Sequence, residues 1–228
     1  GVPYIEYNLG SQELIKIEFV FEAGSKYQDK PLLAGLTNSM LKEGTDTKDS
    51  LEIANAIDYY GAFLETEFNS DFATVTLYSL NKHLKKVLPI FRDIILNSTF
   101  PKEEFDKKVS IKKQKYIINQ EKVETLASLA YSKLIFKGTK YANYTTLDSF
   151  DKLSREDCLA FFNEFYNVSN MDIFVAGKVN SEVFDLINQE FGSETLSKEQ
   201  PKFEFGENTY LPSFQFIEKK DAIQSSMR

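Results

Sequence analysis

ELIKIEFVFE, residues 13–22, alternates strictly: Ile15, Ile17, Phe19 and Phe21 point one way, and Leu14, Lys16, Glu18 and Val20 the other. That period of two is the pattern of a strand with one face in a core. Gly24-Ser25 ends it. Downstream, Pro31 suits the opening of a helix, because its missing N–H would have no partner there in any case. Leu32, Leu33, Leu36, Met40 and Leu41 then share one helical face, closed by Gly44. Asp49 or Ser50 caps a second helix, with Leu51, Ala54, Ile57 and Asp58 in register up to Gly61. Strands follow over 62–68 and 72–80, joined at Asn69-Ser70-Asp71. From Asn81 the period turns helical. Leu84, Val87, Leu88, Phe91, Ile94 and Ile95 form a wide apolar stripe, which Pro89 is expected to kink. Helices are expected over 99–120 and 124–136, then a turn-rich stretch to 150. Ser154-Arg155-Glu156-Asp157 reads as a capping box opening a helix that buries Leu159, Phe162 and Phe165. Met171 to Gly177 is a short buried strand, and Asn180 or Ser181 caps a last helix ending at Gly192. Helices fall in blocks rather than alternating with strands. The fold class is therefore α+β, a mainly antiparallel sheet with helices packed on one face.

Composition narrows the function. The chain has 228 residues, with 27 Lys and Arg against 34 Asp and Glu, a net charge of −7. At ~100–200 residues per domain this is one large domain or slightly more. The acidic balance argues against a nucleic-acid binder, which needs clustered Lys and Arg. No apolar run approaches the ~20 residues of a membrane span. The single cysteine, Cys158, excludes an internal disulfide, and the single histidine, His83, excludes a site with two imidazoles from this chain. No phosphate-binding loop, dinucleotide glycine pattern or nucleophile elbow is present.

Short signatures in a fixed order go further. They are Phe21-Glu22-Ala23-Gly24-Ser25, then residues 34–45 (AGLTNSMLKEGT), then Tyr60-Gly61-Ala62, then residues 162–177 (FNEFYNVSNMDIFVAG) with Phe191-Gly192 beyond them, and finally residues 222–228 (AIQSSMR). Together they resemble the pitrilysin, insulinase and mitochondrial-processing-peptidase family of inverted zincins. The resemblance implies a pitrilysin-type domain over 1–192, a linker over 193–210, and the first strand of a second homologous domain over 211–228. It also implies a catalytic helix bearing His-x-x-Glu-His, two zinc-binding imidazoles one turn apart flanking a general base, with a third ligand from a later helix. Aligned on Met40-Leu41 and Gly44-Thr45, those five positions fall on Gly35, Leu36, Thr37, Asn38 and Ser39. Gly35 and Ser39 stand where the histidines should be. Asn38, an amide that accepts no proton at neutral pH, stands where the base should be. The later helix reads Ile111-Lys112-Lys113-Gln114-Lys115, with no acid between Asp106 and Glu121.

What the resemblance implies is therefore a non-catalytic member, with no catalytic residue and no metal of its own. Zinc is expected only on a partner, a His-x-x-Glu-His subunit or half. The family's peptide-pairing edge strand corresponds to Ala62, Phe63, Leu64, Glu65, Thr66 and Glu67, where its usual Asn-Ala pair falls on Glu65-Thr66. Backbone pairing needs no particular side chain, so extended peptide remains a candidate partner. The alternative is a purely structural assembly subunit. An active hydrolase with a relocated site is a third reading that the residue inventory disfavours. For an inactive heterodimer subunit the resemblance implies a second domain that lends an Arg and a Tyr to the partner's site, and that pair would fall beyond Arg228. Bacterial periplasm and cytoplasm both stay open.

Other candidates have blander readings. His83 among Lys82, Lys85 and Lys86 reads as exposed rather than a zinc ligand. Cys158, in the first turn of a helix, reads as structural. Glu65, Glu67 and Asp71 read as a solvated strand face. The lysines from Lys107 to Lys115 read as a solvated or partner-facing helix surface, and Phe161, Phe162, Phe165 and Tyr166 as core.

Overall fold

The computed structural model describes residues 2–193, 214–220 and 222–227. Five strands, β1 (Tyr4–Asn8), β2 (Leu14–Phe21), β3 (Phe63–Phe68), β4 (Ala73–Leu80) and β5 (Met171–Gly177), form one sheet in the order β1-β5-β2-β4-β3. Only β1 and β5 run parallel; the other three pairs are antiparallel. The helices are α1 (Leu33–Met40), α2 (Ser50–Tyr59), α3 (Leu84–Leu96), α4 (Lys102–Gln120), α5 (Val123–Ile135), α6 (Ser149–Lys152), α7 (Arg155–Phe165) and α8 (Ser181–Phe191). The α+β class and the mainly antiparallel sheet follow as expected.

The alternation of β2 carries the core. Ile15, Ile17, Phe19 and Phe21 are fully buried. Phe19 lies between Val75 and Ile173, and Ile17 between Leu77 and Val175, on the flanking strands. Over that face α3 lays Leu84, Val87, Leu88, Phe91, Ile94 and Ile95, while α8 lays Val183, Ile187 and Phe191. The Phe19 and Phe191 rings meet at 5.1 Å. Both capping boxes are formed, Asp49 with Glu52 on α2 and Ser154 with Asp157 on α7.

Three details depart from expectation. β1 was not read as a strand, since its residues are exposed apart from the half-buried Tyr4; pairing with β5, not an apolar stripe, holds it. Pro31 does not open α1. The helix starts at Leu33 after Leu32 in the left-handed region at φ 77°, and its N-terminus is capped from a distance, Ala34 N–H donating to Gln28 Oε1 at 3.0 Å. Pro89 lies inside α3, which runs from Leu84 to Leu96. The proline lies on the exposed side, where the carbonyl one turn back faces water. In α7, Leu159 is only half-buried, and Cys158 and Phe161 are buried with Phe162 and Phe165.

The linker expected over 193–210 lies, from 194, outside the described residues. Residues 214–220 and 222–227, read as part of a first strand over 211–228, make no ladder among the described residues. No helix among them is long and apolar enough to cross a membrane.

Candidate functional site

The degenerate motif lies on α1, which packs between α7, α4 and the edge strand β3. Gly35 faces the ring of Phe68: a Cβ built there would sit 2.4 Å from the Phe68 ring. Asn38 is buried at 1 % exposure. Its Nδ2 donates to the Glu67 carbonyl at 2.6 Å, and its Oδ1 accepts from the Tyr166 hydroxyl at 3.1 Å. Burial pushes the Tyr166 phenol well above 10, which keeps it a donor. Ser39 turns its hydroxyl back onto its own helix, donating to the Leu36 carbonyl at 2.8 Å. Thr37, between them, is fully buried, with its hydroxyl beside the Cys158 thiol.

Opposite, α4 presents Phe105, Lys108, Val109, Lys112 and Tyr116 as its buried or half-buried stripe. Lys108 pairs with Glu43 at 2.8 Å. Lys112 has no acidic partner among the described residues; burial first, then Lys108 and Lys115, hold its pKa below 10.5. Zinc wants imidazole, thiolate or carboxylate donors. Here an amide committed at both ends, a back-bonded hydroxyl, a glycine and an ammonium occupy the positions that the motif assigns to it. The residues do not fit the metal. Among the described residues no three His, Cys, Asp or Glu side chains gather to hold one elsewhere.

Among the described residues the expected strand, β3, lies at the edge of the sheet, with β4 as its one neighbour. Two turn bonds fix which of its backbone groups are used. Asn69 N–H donates to the Phe72 carbonyl at 2.9 Å, and Asn81 N–H to the Glu13 carbonyl at 3.1 Å. Bonded pairs alternate along an antiparallel ladder. With Phe68 opposite Ala73 and Glu67 opposite Thr74, Phe63, Glu65 and Glu67 bond to β4. The backbone groups of Leu64, Thr66 and Phe68 then point outward. Beside the first half of β3 lies a groove of about 340 Å³, lined by Ile53, Ala54 and Ile57 of α2 and by Ala62, Phe63 and Leu64, with Lys42, Glu43, Ser50 and Asp58 at its polar parts. An edge of free backbone groups beside an apolar groove is suited to an extended chain that adds a strand and inserts a side chain.

The remaining candidates settle as structure. His83 is half-buried rather than exposed, its ring 5.5 Å from that of Tyr60. Cys158 is fully buried, and that burial pushes its thiol up to about 12. Asp71 does not join Glu65 and Glu67; it pairs with Lys26 at 2.9 Å and accepts from the Tyr141 hydroxyl at 2.8 Å. Lys107 pairs with Glu103 and Glu104, and Lys113 with Asp151. Phe161, Phe162, Phe165 and Tyr166 are core. The reading from sequence did not find the bond of Tyr166 to Asn38, the Phe68 ring on Gly35 or the groove, since each joins segments far apart in the chain.

Comparison with known proteins gives two family matches. The insulinase family (peptidase family M16) matches residues 9–149, and the peptidase M16 inactive domain matches residues 152–227. The chain is 24% identical over 232 residues to an uncharacterized zinc protease of Rickettsia bellii (strain RML369-C), covering 100% of this chain and 55% of that one. It is 20% identical over 192 residues to mitochondrial cytochrome b-c1 complex subunit 2 of Saccharomyces cerevisiae, covering 81% and 52%. A crystal structure of a peptidase M16 inactive domain from Pseudomonas fluorescens superposes with a TM-score of 0.81 at 23% identity, covering 90% of this chain and 50% of that one; this likeness shows the fold. The chain spans about half the length of the curated relatives it matches.

Proposed function

Since the chain belongs to the insulinase family, peptidase family M16, we propose that it is a non-catalytic member that works with a catalytic His-x-x-Glu-His chain or half. It contributes a wall and a peptide-pairing edge, and zinc is carried by the partner alone. The observation that carries this reading is Asn38: the base position is taken by a neutral amide whose two polar atoms are both committed within the fold. The free edge of β3 and the adjoining groove support peptide binding at Leu64 and Thr66.

Two measurements test it. Peptidase activity should appear when this chain and a His-x-x-Glu-His partner are mixed and not with either alone; activity of this chain alone sinks the proposal. Thr66→Pro should then cut the activity of the mixture at least tenfold at unchanged thermal stability, because it deletes an outward N–H, where proline is tolerated on an edge. Glu67→Pro, which removes a bond to β4, should instead lower stability.

The match to a subunit of a respiratory complex favours one other reading, an assembly subunit with no part in proteolysis. Under that reading Thr66→Pro leaves both activity and assembly unchanged.

A further inference from the structure

We propose that Asn38 is a positioning residue, and that its side chain pins the Glu67–Phe68 end of β3 to the core so that Leu64 to Thr66 stay fixed as a platform for extended peptide. The peptide part of this statement rests on the function proposed above; the pinning does not.

Asn38 spans three elements through one amide. It sits on α1, donates to the Glu67 carbonyl on β3, and accepts from Tyr166 at the end of α7. Tyr166 is itself held, its ring stacked on Phe162 at 5.6 Å and packed on Phe21 of β2 at 4.9 Å. The chain of contacts thus runs from the central strand of the sheet to its edge. The Phe68 ring rests on Gly35 one turn earlier on the same helix face, a second contact at the same end of β3.

The chemistry of the position is demanding. Its side chain must donate towards a carbonyl and accept from a hydroxyl at the same time, in a site with almost no access to water. A neutral amide does both. A carboxylate would accept from Tyr166 and then face the Glu67 carbonyl with no proton to offer, a buried charge against an oxygen. A general base and this brace are therefore mutually exclusive at position 38. Gly35 shows the same exclusion by volume, since an imidazole there must first push the Phe68 ring off α1. The positions of the metal motif have not simply lost their ligands; they carry a different contact that a restored motif would break.

The far half of β3 is held differently. It borders the groove, and Phe63 is more than half exposed. The edge thus has one pinned end and one open end, with Leu64 and Thr66 between them. Pinning removes motion that a binding peptide would otherwise have to freeze, which raises affinity without adding a contact.

Hydrogen exchange on the whole chain tests this. In Asn38→Ala the amides of Phe63, Glu65 and Glu67, which bond to β4, should exchange roughly tenfold faster, the effect of losing hydrogen bonds of ordinary strength, while those of β2 and β5 keep their rates. Tyr166→Phe should give a smaller acceleration confined to the same residues, and it carries the test if Asn38→Ala does not fold. Equal acceleration throughout β2, β3 and β5 overturns the proposal, because it would mark a general packing role; so does an unchanged β3. A fluorescein-labelled ten-residue peptide of alternating Val and Thr supplies the second readout. It should bind the parent chain and bind Asn38→Ala several-fold more weakly. If the parent does not bind it but β3 still loosens selectively, the pinning stands and the peptide function falls. If the parent binds it and β3 does not loosen, the reverse holds.

Discussion

Lys112 is the clearest conflict between a single residue and its surroundings. It lies on the inward stripe of α4, desolvated, with two lysines near it and no acidic partner among the described residues, so the fold disfavours its charged form. A lysine whose pKa falls on folding destabilises the fold while it is charged. Stability should therefore rise as pH climbs through the lowered folded-state value towards the ordinary ~10.4 of the unfolded chain. Lys112→Met should raise the melting temperature at neutral pH and flatten that rise, and thermal melts of both proteins from pH 7 to 10 read the difference. Cys158 shows the opposite kind of fit. Its thiol is on the buried face of α7 and is pushed up to about 12 by that burial. A disulfide reagent at pH 8 should label it only at the rate of unfolding, and immediate labelling of the native protein would contradict this burial. The structural reading of Cys158 was legible from the chain; the burial of Lys112 was not. The spacing 105-108-109-112-116 reads equally well as a lysine-rich solvent face, and only the packing of α4 on α1 puts Lys112 inside.

At the scale of elements, the turn between Gly44 and Asp49 is held to α3 by one carboxylate. Asp93 accepts from Thr45 at 2.7 Å and Thr47 at 2.7 Å through one oxygen, and from Asn97 at 2.9 Å through the other. Burial opposes its ionisation, yet the bonds from Thr45, Asn97 and Thr47 outweigh it and hold the carboxyl below 3.8. Its contribution is complete above the unfolded value near ~3.9 and is lost as pH falls through the lower folded one. Asp93→Asn should cost about 1–2 kcal/mol at pH 7 and show less acid destabilisation than the parent between pH 5 and 3 in denaturant titrations. Local pattern sufficed for β2, β3, β4 and β5, which carry their own period, and for α2, α7 and α8, which carry their own caps. It failed where an element borrows from elsewhere. The N-terminus of α1 takes its cap from Gln28, and β1 takes its existence from β5.

For the whole molecule, the absence of a metal motif was legible residue by residue, since missing imidazoles are visible in any alignment of short signatures. What replaced the motif was not. The amide of Asn38 meets Glu67 and Tyr166 across 29 and 128 positions of chain, and no local spacing encodes such a meeting. The groove beside β3 likewise depends on the angle at which α2 lies, not on its sequence period. The sheet order has a temporal consequence. Tyr4 lies opposite Ile173, so β1 waits for a neighbour that is synthesised about 170 residues later. At ~5–20 residues per second the wait is on the order of ten seconds. The hairpin of β3 and β4 is complete well before then. Closure of the sheet at β1 therefore trails the hairpin, and a nascent chain halted before residue 171 holds β1 unpaired from β5, a strand for a chaperone to shield.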